Sequence, residues 1–197
     1  MRVFIAVLVL IFSLQSWTRA DDISEFEIEG MSVGDSLLDY FSEKEIKKKK
    51  KEHYYPNKEY YASDFTSSEF EIYELVQVHW KTNDKNYIIK SIDGIFYYDK
   101  NPKGCYKKMD EIVAELSDIF INAIKDDDGI QNHPVDKSGK SKTKTVYFYL
   151  NTGEAIQVGC ADYSDEFEKK NSIDHLRVSV NSNEIMDWFA NKAYKTE

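Results

Sequence analysis

The chain has 197 residues, with 26 basic against 35 acidic side chains and a formal charge of −9. That surface repels phosphates, so no nucleic-acid partner is expected. The length suits one domain that buries a working core without staples.

Arg2 precedes Val3 to Leu14, an apolar run too short to cross about 30 Å of hydrocarbon. Thr18-Arg19-Ala20 sets small residues at the −3 and −1 positions of a signal-peptidase site, and Asp21-Asp22 opens a polar segment. Residues 1–20 are therefore read as a cleavable secretory signal rather than an anchor or a core helix. Residues 21–197 are read as a single domain, exported to the periplasm or secreted. Losing Arg2 and Arg19 leaves it 24 basic and 35 acidic residues, a charge of −11. No cysteine adjoins the cleavage point, so a lipid anchor is not expected. No later segment is long and apolar enough to span a membrane.

Ser32, with Asp35 three residues on, has the form of a helix cap. Val33, Leu37, Leu38 and Phe41 follow at helical spacing. Ser42 with Glu45 caps a second, short helix that carries Ile46 and ends in Lys47 to Lys51. Lysines suit a helix C-terminus, and a solvated helix end is the simpler reading than a polyanion contact. Residues 53–68, rich in Tyr, Ser and Asn, read as an irregular connection. Phe70 to Trp80 alternates apolar with polar, and Tyr87 to Tyr98 returns after a polar turn, with Gly94 marking a bulge. Asn101-Pro102-Lys103-Gly104 breaks the chain. Met109, Ile112, Val113, Leu116, Ile119, Phe120, Ala123 and Ile124 then lay one apolar stripe on a long helix over 109–125.

Asp126 to Lys144 reads as a polar loop. Val146, Phe148 and Leu150 form a third strand, and Ile156, Val158 and Cys160 a fourth, joined through Asn151-Thr152-Gly153. After a charged stretch, Leu176, Val178 and Val180 make a fifth strand. Asn181 with Glu184 caps a last helix through Ile185, Met186, Phe189 and Ala193. The expected fold is α+β: a mainly antiparallel sheet of about five strands, with helices packed on one face. The other face is wetter and displays His79, Tyr147, Tyr149, Gln157 and Arg177.

Cys105 and Cys160 are the only cysteines. In an oxidising compartment a lone pair joins, so a disulfide is expected in preference to two buried thiols. The chemical motifs fail on inspection. Around Asp126-Asp127-Asp128-Gly129, Ile124 and Val135 occupy the end positions where a calcium loop needs carboxylates. Gly139-Lys140-Ser141 has Pro134 where a phosphate loop needs glycine. His53, His79, His133 and His175 are not paired at helical spacing for zinc, and no nucleophile elbow exists. No cofactor or metal is expected. Tyr54, Tyr55, Tyr60 and Tyr61 crowd one connection, where β-propensity cannot explain them. They are candidates for a binding surface together with His79, Tyr147, Tyr149 and Arg177.

Phe26 to Ser42, Cys105 to Ile112 and Asp174 to Ser179 resemble blocks of exported proteins from small-genome marine alphaproteobacteria. That family has no assigned activity, so the resemblance implies an exported bacterial protein and carries over no catalytic residue. Ile28-Glu29-Gly30-Met31-Ser32 is also similar to the opening of the outer-membrane assembly lipoprotein and β-lactamase-inhibitor-like domains, which act by binding proteins. This chain lacks their lipoprotein cysteine. The leading expectation is a non-enzymatic binding or protein-interaction domain, its partner an envelope protein or a small ligand. The alternative is a periplasmic hydrolase whose site assembles from distant carboxylates and a histidine.

Overall fold

The computed structural model describes residues 23, 26–52, 54–169 and 172–195. The segment read as a signal, and His53, lie outside the described residues. The fold is α+β, built on an antiparallel sheet of eight strands rather than about five. In chain order these are β3 (Lys50–Lys51), β4 (Tyr60–Phe65), β5 (Leu75–Lys81), β6 (Ile89–Tyr97), β7 (Ile124–Asn132), β8 (Lys142–Tyr149), β9 (Ala155–Asp162) and β10 (His175–Asn181). Their spatial order is β3-β4-β5-β6-β10-β9-β8-β7. A separate hairpin, β1 (Glu27–Ile28) and β2 (Met31–Ser32), turns through Glu29 and Gly30, both with positive φ, as two-residue hairpins favour.

Two of the added strands fall where loops are expected. β7 is an edge strand, exposed along almost its whole length, so its three aspartates need no apolar alternation. β4 is buried toward both faces and therefore shows no period of two. The first helix is also absent. Asp35 does accept the Ser32 N–H at 2.9 Å, but Ser32 belongs to β2, and only a 3-10 turn forms, at Leu37–Asp39. The second helix, α1 (Glu43–Lys49), forms as its cap predicts, with Glu45 N–H donating to Ser42. Lys47, Lys50 and Lys51 pair with Glu43, Glu52 and Asp64.

The long helix, α2 (Pro102–Ile119), begins at the supposed breaker: Asn101 caps it and Pro102 opens its first turn. Its Cys105, Met109, Ile112, Val113 and Leu116 share one core with Val76, Val78, Ile92, Phe148, Val158 and Val178 of the sheet. Cys105 and Cys160 form a disulfide that staples the first turn of this helix to β9, with Cα atoms 6.1 Å apart. The loop it closes spans 55 residues and is worth about 4 kcal/mol by chain entropy.

After the four-residue helix α3 (Asp165–Glu168), the chain ends in α4 (Asn183–Asn191), capped by Ser182 rather than Asn181. Its Ile185 and Trp188 build a second cluster with Tyr55, Tyr60 and Ala193. Tyr60 has the strand phase opposite to the main core, so helices cover both faces of the sheet, not one. Gly94 is in register with Val76 and Val178 and makes no bulge; the ladder slips instead at His79/Trp80. A Cβ on Gly94 would lie 2.6 Å from the Tyr73 ring, which is why glycine stands there. Tyr73 is held in turn by Glu29, whose carboxylate accepts the N–H groups of Glu71, Ile72 and Tyr73 at 2.7, 2.8 and 2.7 Å.

Candidate functional site

Strand register turns the second face into rows of polar side chains. Gln77, Asp93, Ser179, Gln157 and Tyr147 stand opposite one another across five strands. Beside them run His79, Ser91, Asn181, Ala155 and Tyr149 in one row, and Ile95, Arg177, Gly159 and Thr145 in another. A further row holds Tyr97, His175, Ala161 and Thr143. Half of these side chains are short, and a cleft of about 490 Å³ lies over them. Its aromatic lining forms two groups: Tyr54, Tyr55, Phe189 and Tyr194, and His133 with Tyr163.

Arg177 and Asp93 meet at the floor. Arg177 Nη1 donates to Asp93 Oδ2 at 2.9 Å and to Gln77 Oε1 at 3.3 Å. The Asp93 side chain is only 4% exposed and that of Arg177 25%, so this pair is largely shielded from solvent. Burial opposes the guanidinium charge, but the Asp93 carboxylate and the Tyr54 and Tyr55 hydroxyls outweigh it and raise the Arg177 pKa. A hydrogen bond of 3.1 Å joins Tyr55 Oη to His79 Nε2. Burial pushes His79 down to about 4, and its Nδ1 has no hydrogen-bond partner among the described residues.

His175 Nδ1 donates to the Ile173 carbonyl at 2.8 Å, which leaves Nε2 of the neutral ring as an acceptor. Burial, reinforced by Arg177, also holds His175 near 4. Burial likewise lowers His133, whose ring lies 4.8 Å from that of Tyr163. In the other group the Tyr55 ring packs on those of Trp188 at 4.8 Å and Tyr194 at 5.6 Å.

Of the side chains singled out from sequence, Tyr54, Tyr55, His79, Tyr147 and Arg177 line the cleft. Tyr149 stacks on Tyr147 with ring planes 8° apart. Tyr60 does not line it but is buried against Trp188, and Tyr61 packs on Trp80 at the opposite face. Asp93, His133, Tyr163, Phe189 and Tyr194 were not legible as site residues. Only Asp93 had a signal: it shares strand phase with Ser91, on the polar side of β6.

Ser91 Oγ donates to Asn181 Oδ1 at 2.8 Å and Thr143 Oγ1 to the Cys160 carbonyl at 3.0 Å, so both hydroxyls are engaged away from the histidines. A general base works best with a pKa near the operating pH, whereas His79 and His175 sit near 4. Among the described residues, no three His, Cys, Asp or Glu side chains are placed to hold a metal ion. No helix among them is long and apolar enough to cross a membrane. Comparison with family models, with curated proteins and with solved structures finds no match.

Proposed function

We propose that the chain is an exported, non-enzymatic binding protein that takes a small ligand in the cleft over its polar sheet face. The observation that carries this reading is a concave floor of hydrogen-bonding side chains, centred on a shielded Arg177–Asp93 pair and enclosed by aromatic walls. Clefts of this size hold small molecules, with polar groups fixing orientation and rings supplying contact area. Export rests on the N-terminal leader pattern and its resemblance to exported proteins, and the Cys105–Cys160 bond is compatible with it. The hydrolase alternative draws on the presence of Asp93 and three histidines in the same cleft.

The test is native mass spectrometry of the protein recovered gently from its own envelope. A small-molecule adduct is expected on the native chain and not on Thr145→Trp, which fills the cleft. Recovery with a protein partner that Thr145→Trp leaves in place would overturn the small-ligand reading. Steady conversion of the adduct to a product by the isolated chain would favour the hydrolase.

A further inference from the structure

The chemistry of the lining narrows the class of ligand, given the small-ligand reading on which this step rests. Among the described residues lining the cleft, the only formally charged side chains are Arg177 and Asp93, and they are bonded to each other at 2.9 Å. An anionic ligand would have to compete with Asp93 for the guanidinium, inside a chain of formal charge −9. A cationic ligand would have to draw away a carboxylate that is 4% exposed. Either exchange leaves a shielded charge poorly paired, which is costly. The three histidines add no charge at neutral pH, being held neutral by burial.

What remains on the floor is neutral and two-sided. Thr145, Ser179 and Tyr147 offer hydroxyls, and Gln157 offers an amide. Each of these groups can both donate and accept hydrogen bonds. A ligand that meets such a floor at many points must itself donate and accept at many points, which is the property of adjacent hydroxyls on a ring. The walls fit the same ligand. Tyr55, Tyr194 and Tyr163 line the cleft, where aromatic rings can pack on the C–H groups of such a ligand. Gly159 and Ala161 add little bulk to the floor, which leaves room for a ring above it. We propose that the cleft binds a neutral polyhydroxylated ring compound, a saccharide of one or a few units.

The experiment titrates the whole mature chain with a panel of neutral saccharides (glucose, maltose, cellobiose and chitobiose) and, separately, with citrate and glutamate. Binding is read by calorimetry and by amide shifts. Saturable binding of at least one neutral sugar is expected, with an affinity unchanged by about 0.5 M salt because no charges are paired across the contact. The affinity should fall about tenfold in Tyr163→Ala and vanish in Thr145→Trp, both checked for native circular dichroism. Preferential, salt-sensitive binding of citrate or glutamate at the same residues would overturn the saccharide class and leave the cleft reading standing. If no probe moves a cleft resonance and the envelope-purified chain carries no adduct, both readings fall.

Discussion

His79 offers a test of the cleft floor that needs no ligand. It lies on β5, is 2% exposed, and is bonded to Tyr55, with Asp93, Arg177 and Asp64 as its charged neighbours. Burial lowers its pKa from 6.5 to about 4. Between those values the unfolded chain holds a proton on this ring and the folded chain does not, so stability rises with pH. The contribution is complete above the unfolded pKa and is lost as pH falls toward the folded one. From pH 7.5 to 5.0 the loss from this ring is about 2 kcal/mol. His175 shifts in the same direction and adds to the slope. Urea unfolding followed by tryptophan fluorescence at the two pH values measures it. His79→Gln should flatten the difference by about 2 kcal/mol, whatever it does to absolute stability. A variant with the pH dependence of the native chain would show that His79 is not held neutral, and the floor would then not be the shielded surface described above.

Three further outcomes follow from the packing. Replacing Cys105 and Cys160 by serine should cost up to about 4 kcal/mol in denaturant unfolding; a loss near zero would mean the tether does not restrain the unfolded chain. Arg177→Met leaves Asp93 shielded without its counter-charge and should cost about 3 kcal/mol, with Asp93→Asn added in the same chain recovering more than half in thermal or urea unfolding. Trp188→Ala removes the ring that joins Tyr55 and Tyr60 beneath α4 and should cost about 3–5 kcal/mol; limited proteolysis should then cut first within residues 183–195.

The elements legible in the sequence are those whose environment is one-sided. β8, β9 and β10 alternate because one face meets the core and the other the cleft, and α2 carries a single stripe because only one side packs. β4 and β7 escaped because one is enclosed on both sides and the other open on both, so neither has an alternation to show. The spacing of Val33, Leu37, Leu38 and Phe41 suggested a helix. Gly34 at φ +102° and the Asp35 bond to Ser32 instead commit that stretch to a turn.

The site divides the same way. Strand phase alone put Tyr147, His79 and Arg177 on one face. Pairing Arg177 with Asp93 needed the cross-strand register, which no local pattern carries. Tyr60 and Tyr61 are adjacent on one strand and cannot share a face, so their sequence cluster could not be a single surface. The second aromatic group comes from His133, which follows the edge strand β7, and from Tyr163, in the charged stretch after β9.

The most direct measurement labels the tyrosine rings and follows their resonances as a low-mass extract of the source cells is added to the protein. Saturable shifts confined to Tyr54, Tyr55, Tyr147, Tyr163 and Tyr194, with Tyr61 and Tyr73 unmoved, are the expected result. Shifts centred on Tyr61 and the opposite face, or none at any extract concentration, would contradict the claim that the polar cleft is where this protein meets its ligand.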